Sequence, residues 1–215
     1  MAQNRNYQKE SDAIIEGVLR EGKTPSLLLH ACCAPCSSYC LEYLSDYFSI
    51  TLYYYNPNIG SEEEYRHRCA EAQRLVNSLP VKNPVSFLEG RYEPERYYEA
   101  VSGLEQEPEG GKRCEVCFRL RLSEAAKAAK EGGFDFFTTT LSISPLKNAQ
   151  LLNEIGKEIS EEYGVPYFYS DFKKKAAIRG PSNCPGSMIC TVRTSAAAFF
   201  PKEMLYKRRK KRYIN

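Results

Sequence analysis

Short apolar runs alternate with longer helical segments along this chain, and this alternation constrains its fold more than any other feature. The apolar runs, which predict strands, lie at residues 26–30, 50–55, 85–88, 134–141 and 165–169. A strand followed by a loop and a helix, repeated several times, is typical of a parallel sheet covered by helices. We therefore predict an α/β fold that is Rossmann-like and doubly wound, with a mainly parallel sheet and flanking helices.

The segments between these runs predict helices, and several of them carry a start signal. They cover residues 11–21, 36–47, 61–79, 92–103, 113–131 and 145–163. Pro35 favours a helix start, and Ser61 with Glu64 forms a capping-box signature. We divide the 215 residues into a helical extension (1–23), an α/β domain (24–175), an aberrant segment (176–200) and a basic tail (201–215).

The distribution of polar and charged residues limits where such a chain works. Its first ten residues are polar and lack the apolar core of a signal peptide. No apolar run approaches the roughly 18 residues that a membrane span needs, so we expect a cytoplasmic protein with no membrane partner. The net charge of +3 is too small to identify a partner.

Residues 207–212 are six consecutive cations of lysine and arginine. Such a run is either a solvated tail or a contact for a phosphate backbone. We favour contact with nucleic acid.

The nine cysteines identify the chemistry of the chain more closely. An odd number excludes a fully paired disulfide scaffold, and clustered thiols in a reducing compartment are typical of metal or redox sites. Cys32, Cys33 and Cys36 follow the first predicted strand, while Cys114 and Cys117 open a helix after a glycine-rich loop. Four cysteines suit a [4Fe–4S] cluster or a tetrahedral zinc ion, and spacing alone leaves both open. A vicinal disulfide is a third, less favoured reading.

The remaining candidates in and around the cysteine segments have more than one reading. Cys36 is either a reserve ligand or a thiol on a helix face, Cys40 is expected in the core, and Cys69 is expected to be inert. His30 either orients the cysteine loop or fills the core, and the tyrosines at 53–55 are expected in the core.

Loops that follow parallel strands meet at one edge of the sheet, where ligands bind in this fold. The cysteine loop, the loop at 56–60 and the loop at 142–147 all follow predicted strands, so we expect them to converge. Four polar residues near the last of these loops are candidates for phosphate or nucleoside binding, with a capped helix as the alternative: Ser142, Ser144, Lys147 and Asn148. Asp171 is a further candidate as a ligand or acid.

Five motifs occur in the order found in one family: LLLHACCAPCS, YYNPNI, RCEVCFRLRL, TTTLSISPLKN and YSDFKKK. Through them, residues 24–175 resemble the QueH-type epoxyqueuosine reductases. The resemblance implies a [4Fe–4S] cluster bound by Cys32, Cys33, Cys114 and Cys117. It also implies reduction of epoxyqueuosine to queuosine in a tRNA anticodon loop, with electrons from an unidentified donor. Some members hold a second, mononuclear metal ion, to which Cys36 is the candidate contributor here.

Two other classes of protein share part of this pattern. A zinc-stabilised nucleic-acid-binding protein without catalysis explains the cysteines and the basic tail, but not the loop at 142–148. A nucleotide-dependent tRNA-modifying enzyme with a similar sheet requires a Ser-Gly-Gly phosphate loop after the first strand. This chain has His30, Ala31 and Cys32 there, which counts against that class.

Residues 176–200 depart from the family, whose members carry an LYRQ-like segment and a Cys-Gly-Cys pair at this point. This chain has Cys184 and Cys190 but no Cys-Gly-Cys. Codons for residues 176 onward can be chosen so that the frame one base earlier encodes GGYKRSIELSRQYDLYRQDFCGCVFS. We therefore predict two compensating frameshifts at the Lys173 and Phe199 codons. On this reading Cys184 and Cys190 have no function, and the segment is irregular.

Overall fold

A computed structural model of the chain describes residues 5–173. Its helices and strands follow each other in the order α1 (Tyr7–Glu21), β1 (Ser26–His30), α2 (Ala34–Leu44), β2 (Ser49–Tyr54), α3 (Glu62–Ser78), β3 (Val85–Glu89), α4 (Pro94–Ala100), α5 (Lys112–Glu131), β4 (Phe136–Thr139), a 3₁₀ turn (Thr140–Ile143) and α6 (Ala149–Tyr163). None of the described helices is long and apolar enough to cross a membrane. The predicted aberrant segment, with Cys184 and Cys190, and the basic tail lie outside the described residues.

The strands form a parallel sheet in the order β3-β2-β1-β4, as the alternation of apolar runs predicts. Leu28 in β1 lies opposite Thr51 in β2 and Phe137 in β4. The strand predicted at 165–169 is reduced to a single parallel bridge between Phe137 and Tyr167. The fold class is therefore confirmed, and the sheet is shorter at this edge than the sequence predicts.

The two faces of β1 fill two separate cores, because successive side chains of a strand point to opposite faces. Leu27 and Leu29 pack in the core formed with α2 and α3. Leu28 packs in the opposite core, formed with α5 and α6. All three leucines are fully buried, and each such burial stabilises the fold by about 1.5–3 kcal/mol. Helices thus cover both faces of the sheet.

Capping side chains set the starts of three helices, and the sequence predicted one of these starts. The Ser61 hydroxyl accepts a hydrogen bond from the Glu64 amide, which confirms the capping box. Helix α6 begins four residues later than predicted, because the Asn148 side chain caps it and the preceding turn is 3₁₀. Helix α1 begins earlier than predicted, because Asn6 caps it.

The winding direction of the chain reverses at the carboxyl ends of β1 and β4. These strands are neighbours, but the chain leaves β1 toward the α2 face and leaves β4 toward the α6 face. Such a reversal is the topological switch point at which doubly wound sheets bind ligands. Cys32 follows β1 at this point.

Candidate metal centre

Three thiols lie together at the switch point. The sulfur atoms of Cys32, Cys33 and Cys36 lie within 4.8 Å of one another, and those of Cys32 and Cys33 are 3.8 Å apart. Cys33 is the extended residue that caps α2, and Pro35 lies in the first turn of that helix. The sequence CCAPC therefore gathers its three thiols in one short loop and one helical turn. Among the described residues this is the group that suits a metal ion.

Hydrogen bonds among these thiols shift their pKa values in opposite directions. Interactions with Cys33 and then Cys36 hold the pKa of Cys32 well below its usual value. The same bond with Cys32 raises the pKa of Cys33 to about 12, and bonds to both neighbours raise the pKa of Cys36. The metal-free group therefore favours one thiolate, at Cys32, solvated by two thiols. Since thiolate is the metal-binding form, Cys32 is the first ligand available.

Contacts from the other strand ends fix the position of Cys32. The Cys32 amide donates to the Thr140 hydroxyl at 3.1 Å, and that hydroxyl donates to the Cys32 sulfur at 3.3 Å. The Asn56 side-chain amide donates to the Ala31 carbonyl at 2.9 Å. Loops after β1, β2 and β4 therefore converge on one edge, as the sequence predicts.

The second cysteine pair lies in the first turns of α5. The Cys114 sulfur accepts a hydrogen bond from the Gly110 amide at 3.2 Å. Gly110 has φ of 85°, a left-handed conformation that favours glycine. Cys114 and Cys32 pack against the same apolar core, whereas Cys117 is buried beside α4. Neither thiol of α5 belongs to the tight group, which contains Cys36, so the four-cysteine ligand set stays a prediction.

Arg121 links the two cysteine segments, and the sequence reasoning missed it. Its guanidinium donates a hydrogen bond to the Asn56 side-chain oxygen. Burial raises the pKa of Cys117, while Arg121 opposes that rise by its charge and a hydrogen bond. The thiol neighbours of Cys32 lower its pKa, and the positive charge of Arg121 lowers it further. The spacing of four residues from Cys117, one turn of α5, was the available signal.

His30 fills the core, which is one of the two roles considered for it. The ring is fully buried, with Nδ1 2.9 Å from the Thr139 hydroxyl and Nε2 3.0 Å from the Tyr55 carbonyl. These contacts fit a neutral ring that accepts at Nδ1 and donates at Nε2. Burial, with the nearby Arg121 charge, lowers the pKa of His30 to about 3. His30 thus fills the core and ties the ends of three strands together.

The polar candidates near the loop after β4 have structural partners. The Ser142 hydroxyl is buried against the Ser170 hydroxyl at 2.9 Å. Asn148 caps α6 by accepting from the Leu151 amide. Ser144 ends the 3₁₀ turn. These contacts support the capped-helix alternative for Ser142 and Asn148 rather than phosphate binding.

Lys147 is not a surface lysine, in contrast to the capped-helix alternative. Its side chain is only 12% exposed, and its ammonium pairs with Glu109 at 2.6 Å. The same ammonium lies 5.8 Å from the centre of the Phe118 ring, which places it beside the start of α5.

Other residues lie where the sequence predicts. Cys40 and Cys69 are buried in the core, and so are the three tyrosines at 53–55. Asp171 is partly buried just after the bridge at Tyr167, and its role as a ligand or acid stays a prediction.

Comparison with known proteins places the chain in a family. The family model described as epoxyqueuosine reductase QueH matches residues 27–184. A Staphylococcus epidermidis protein named epoxyqueuosine reductase QueH is 45% identical over 176 residues, which are 80% of this chain and 74% of that protein. A Streptococcus pyogenes protein of the same name is 44% identical over 82% of this chain and 70% of its own length. A Thermotoga maritima protein of that name is 36% identical over 71% of this chain and 77% of its own length. This chain belongs to the QueH family of epoxyqueuosine reductases.

Proposed function

We propose that this protein reduces epoxyqueuosine to queuosine in the anticodon loop of a tRNA. One observation carries the proposal: a chain of the QueH family gathers three thiols at the switch point of its sheet. A tRNA substrate implies work in the cytoplasm. The basic run at 207–212 is the proposed contact for the tRNA backbone, and the electron donor is a partner yet to be identified.

We further propose that the thiolates of Cys32, Cys33, Cys114 and Cys117 hold a [4Fe–4S] cluster. The donor chemistry fits, because thiolates are the ligands of such clusters. Both segments also lie near the same buried cation, Arg121. Cys36, within 4.8 Å of Cys32 and Cys33, is the proposed contributor to a second, mononuclear metal site.

The reaction explains why a metal centre is needed. Removing the epoxide oxygen as water, with an alkene left behind, consumes two electrons and two protons. No common side chain supplies electrons, whereas an iron–sulfur cluster supplies them at low potential. The chain's own residues hold this centre in place. Thr140 fixes the Cys32 backbone, and the Gly110 amide fixes the Cys114 sulfur.

Zinc is the second candidate, and one distance favours it. Bonds of about 2.3 Å from a tetrahedral zinc ion to two sulfurs place those sulfurs about 3.8 Å apart. The sulfurs of Cys32 and Cys33 are 3.8 Å apart. A cluster spreads its ligands over four different irons, so binding one requires these thiols to separate. A zinc-stabilised nucleic-acid-binding protein without catalysis is therefore the alternative function.

Metal analysis after anaerobic purification separates the two candidates. The proposal predicts iron and acid-labile sulfide in equal amounts, near four of each per chain, with a brown chromophore. Stoichiometric zinc without iron would establish the alternative instead.

Cysteine-to-alanine variants assign the ligands. Substitution of Cys32, Cys33, Cys114 or Cys117 should each abolish the chromophore. Cys69→Ala is the matched control, because Cys69 is also a buried thiol but lies on α3, and it should keep its iron. Loss of iron from Cys36→Ala together with full retention in Cys114→Ala would show that the ligand set is wrong.

A further inference from the structure

Arg121 is a buried cation without a carboxylate partner among the described residues. It is 4% exposed, and no described carboxylate lies within 4.0 Å of its guanidinium. Five other described arginines form such pairs, namely Arg5, Arg66, Arg68, Arg96 and Arg119. A buried charge is costly unless it is paired. The position of Arg121 therefore calls for a negative charge.

The polar groups nearest to Arg121 are neutral. Its Nη2 donates to the amide oxygen of Asn56, and its Nε lies 3.4 Å from Nε2 of His30. The bond to Asn56 orients the guanidinium without balancing its charge. Groups in its range that can become negative include the thiols of Cys32 and Cys117, and Cys117 lies one turn before Arg121 on α5. One thiol comes from each cysteine segment. Tyr54 is also in range, but burial raises the pKa of its hydroxyl and keeps it neutral.

We propose that Arg121 is a positioning residue whose guanidinium is the buried counter-charge of a thiolate–metal centre that both cysteine segments share. The inference rests on the proposed function only in that these thiols bind a metal. Thiolate ligands gather negative charge beside the buried side chains of Cys117 and Arg121, where an adjacent cation stabilises them more than it would in water. Arg121 therefore favours metal binding, and it favours the reduced state of a redox-active centre.

Cobalt binding to the metal-free protein tests this counter-charge directly. Co²⁺ is titrated anaerobically, and sulfur-to-cobalt absorption reports thiolate ligation. Arg121→Gln should weaken Co²⁺ binding about 10- to 100-fold, the usual cost of losing a residue that supports metal ligands. Arg121→Lys keeps the charge and should recover most of the affinity.

Arg119→Gln is the matched control. It removes one positive charge from the same helix, but Arg119 is exposed and pairs with Glu158 at 2.7 Å. Its Co²⁺ affinity should equal that of the wild type. Equal affinities for the wild type and Arg121→Gln would overturn the proposal.

A role in folding alone predicts a different pattern, so melting temperatures are measured with and without Co²⁺. The proposal predicts that Co²⁺ raises the melting temperature less in Arg121→Gln than in the wild type. Equal increases in melting temperature in the two proteins would show that Arg121 has a structural role only.

If Arg121→Gln does not fold, Asn56→Asp provides a second test of the proposal. The new carboxylate would pair with Arg121 and neutralise it in place, so Co²⁺ affinity should fall. Asn56→Ala removes the same bond to the Ala31 carbonyl without adding charge, and should bind Co²⁺ more tightly than Asn56→Asp. The reverse order would contradict the proposal.

The redox consequence is measured on the native centre. The midpoint potential of Arg121→Gln should be lower than that of the wild type, because the reduced centre loses a stabilising cation. A tenfold change in relative stability corresponds to about 59 mV for a one-electron couple. Iron and sulfide analysis of the wild type tests the proposed function separately. An iron-free wild type whose Co²⁺ affinity still depends on Arg121 would overturn the cluster but keep this inference.

Discussion

His30 should make the stability of the metal-free protein fall steeply below neutral pH. The folded protein holds this ring neutral, because burial lowers its pKa from 6.5 to about 3. The unfolded chain takes up a proton below pH 6.5, whereas the folded protein does not until about pH 3. Between these values the unfolded state binds more protons, so stability decreases as the pH falls.

The size of the effect follows from these two pKa values. Lowering the pH from 7 to 5 should reduce the free energy of unfolding by about 2 kcal/mol through His30 alone. His30→Gln can donate to the Tyr55 carbonyl and accept from Thr139 without titrating. The variant is expected to be less stable at pH 7, but it should lack this part of the pH dependence.

Urea denaturation at pH 7 and pH 5, with metal-free reduced protein, measures the difference. His67→Gln is the matched control, since His67 is the second of two histidines and is exposed beside Glu71. Its pH dependence should match the wild type. If His30→Gln shows the same decrease on acidification as the wild type, the buried neutral ring is not the cause.

Four further predictions concern two glycines, the tail and the aberrant segment. Gly156→Ala would place a Cβ 2.5 Å from the Tyr167 ring and should destabilise the protein by about 1–3 kcal/mol in urea. Gly17→Ala meets nothing within 4 Å on α1, so it should stabilise by about 0.5–1 kcal/mol. Neutralising residues 207–212 should flatten the salt dependence of tRNA binding by about 0.7–0.9 log units for each phosphate that the tail no longer neutralises, whereas an unchanged slope would show a solvated tail. Restoring the alternative reading frame across 176–200 should raise reductase activity, and equal turnover by the two versions would show that the Cys-Gly-Cys pair is dispensable. Sequencing the gene at the Lys173 and Phe199 codons tests whether frameshifts produced this segment.

The sheet could be predicted from sequence because its signals are local. The run at 26–30 has three consecutive leucines at its centre, as is typical of a strand buried on both faces. The loop after this strand carries Cys32, Cys33 and Cys36, so their position at the edge of the sheet could be predicted from the strand alone. Helix starts were less accurate, because α6 depends on whether Asn148 or Pro145 marks its first turn.

The electrostatics of the site could not be predicted, because they depend on contacts between distant segments. Arg121 lies 65 residues from Asn56 and 91 from His30 in the chain. The motif RCEVCFRLRL contains three arginines, and only the packing of α5 shows that Arg121 is the buried one. The inclusion of Cys36 in the tight thiol group likewise depends on the turn at Pro35.

Nucleoside analysis of a defined tRNA substrate tests the central claim most directly. The anaerobically purified protein is incubated with a chemical reductant and tRNA carrying epoxyqueuosine. The tRNA is then digested to nucleosides, and their masses are measured by mass spectrometry. The account predicts conversion to a nucleoside lighter by one oxygen atom, identical to queuosine, in the wild type and Cys69→Ala but not in Cys32→Ala. This chain is expected to turn over the substrate slowly, and the version with the restored frame faster. Iron-loaded protein that leaves epoxyqueuosine unchanged in both forms would contradict the proposed function.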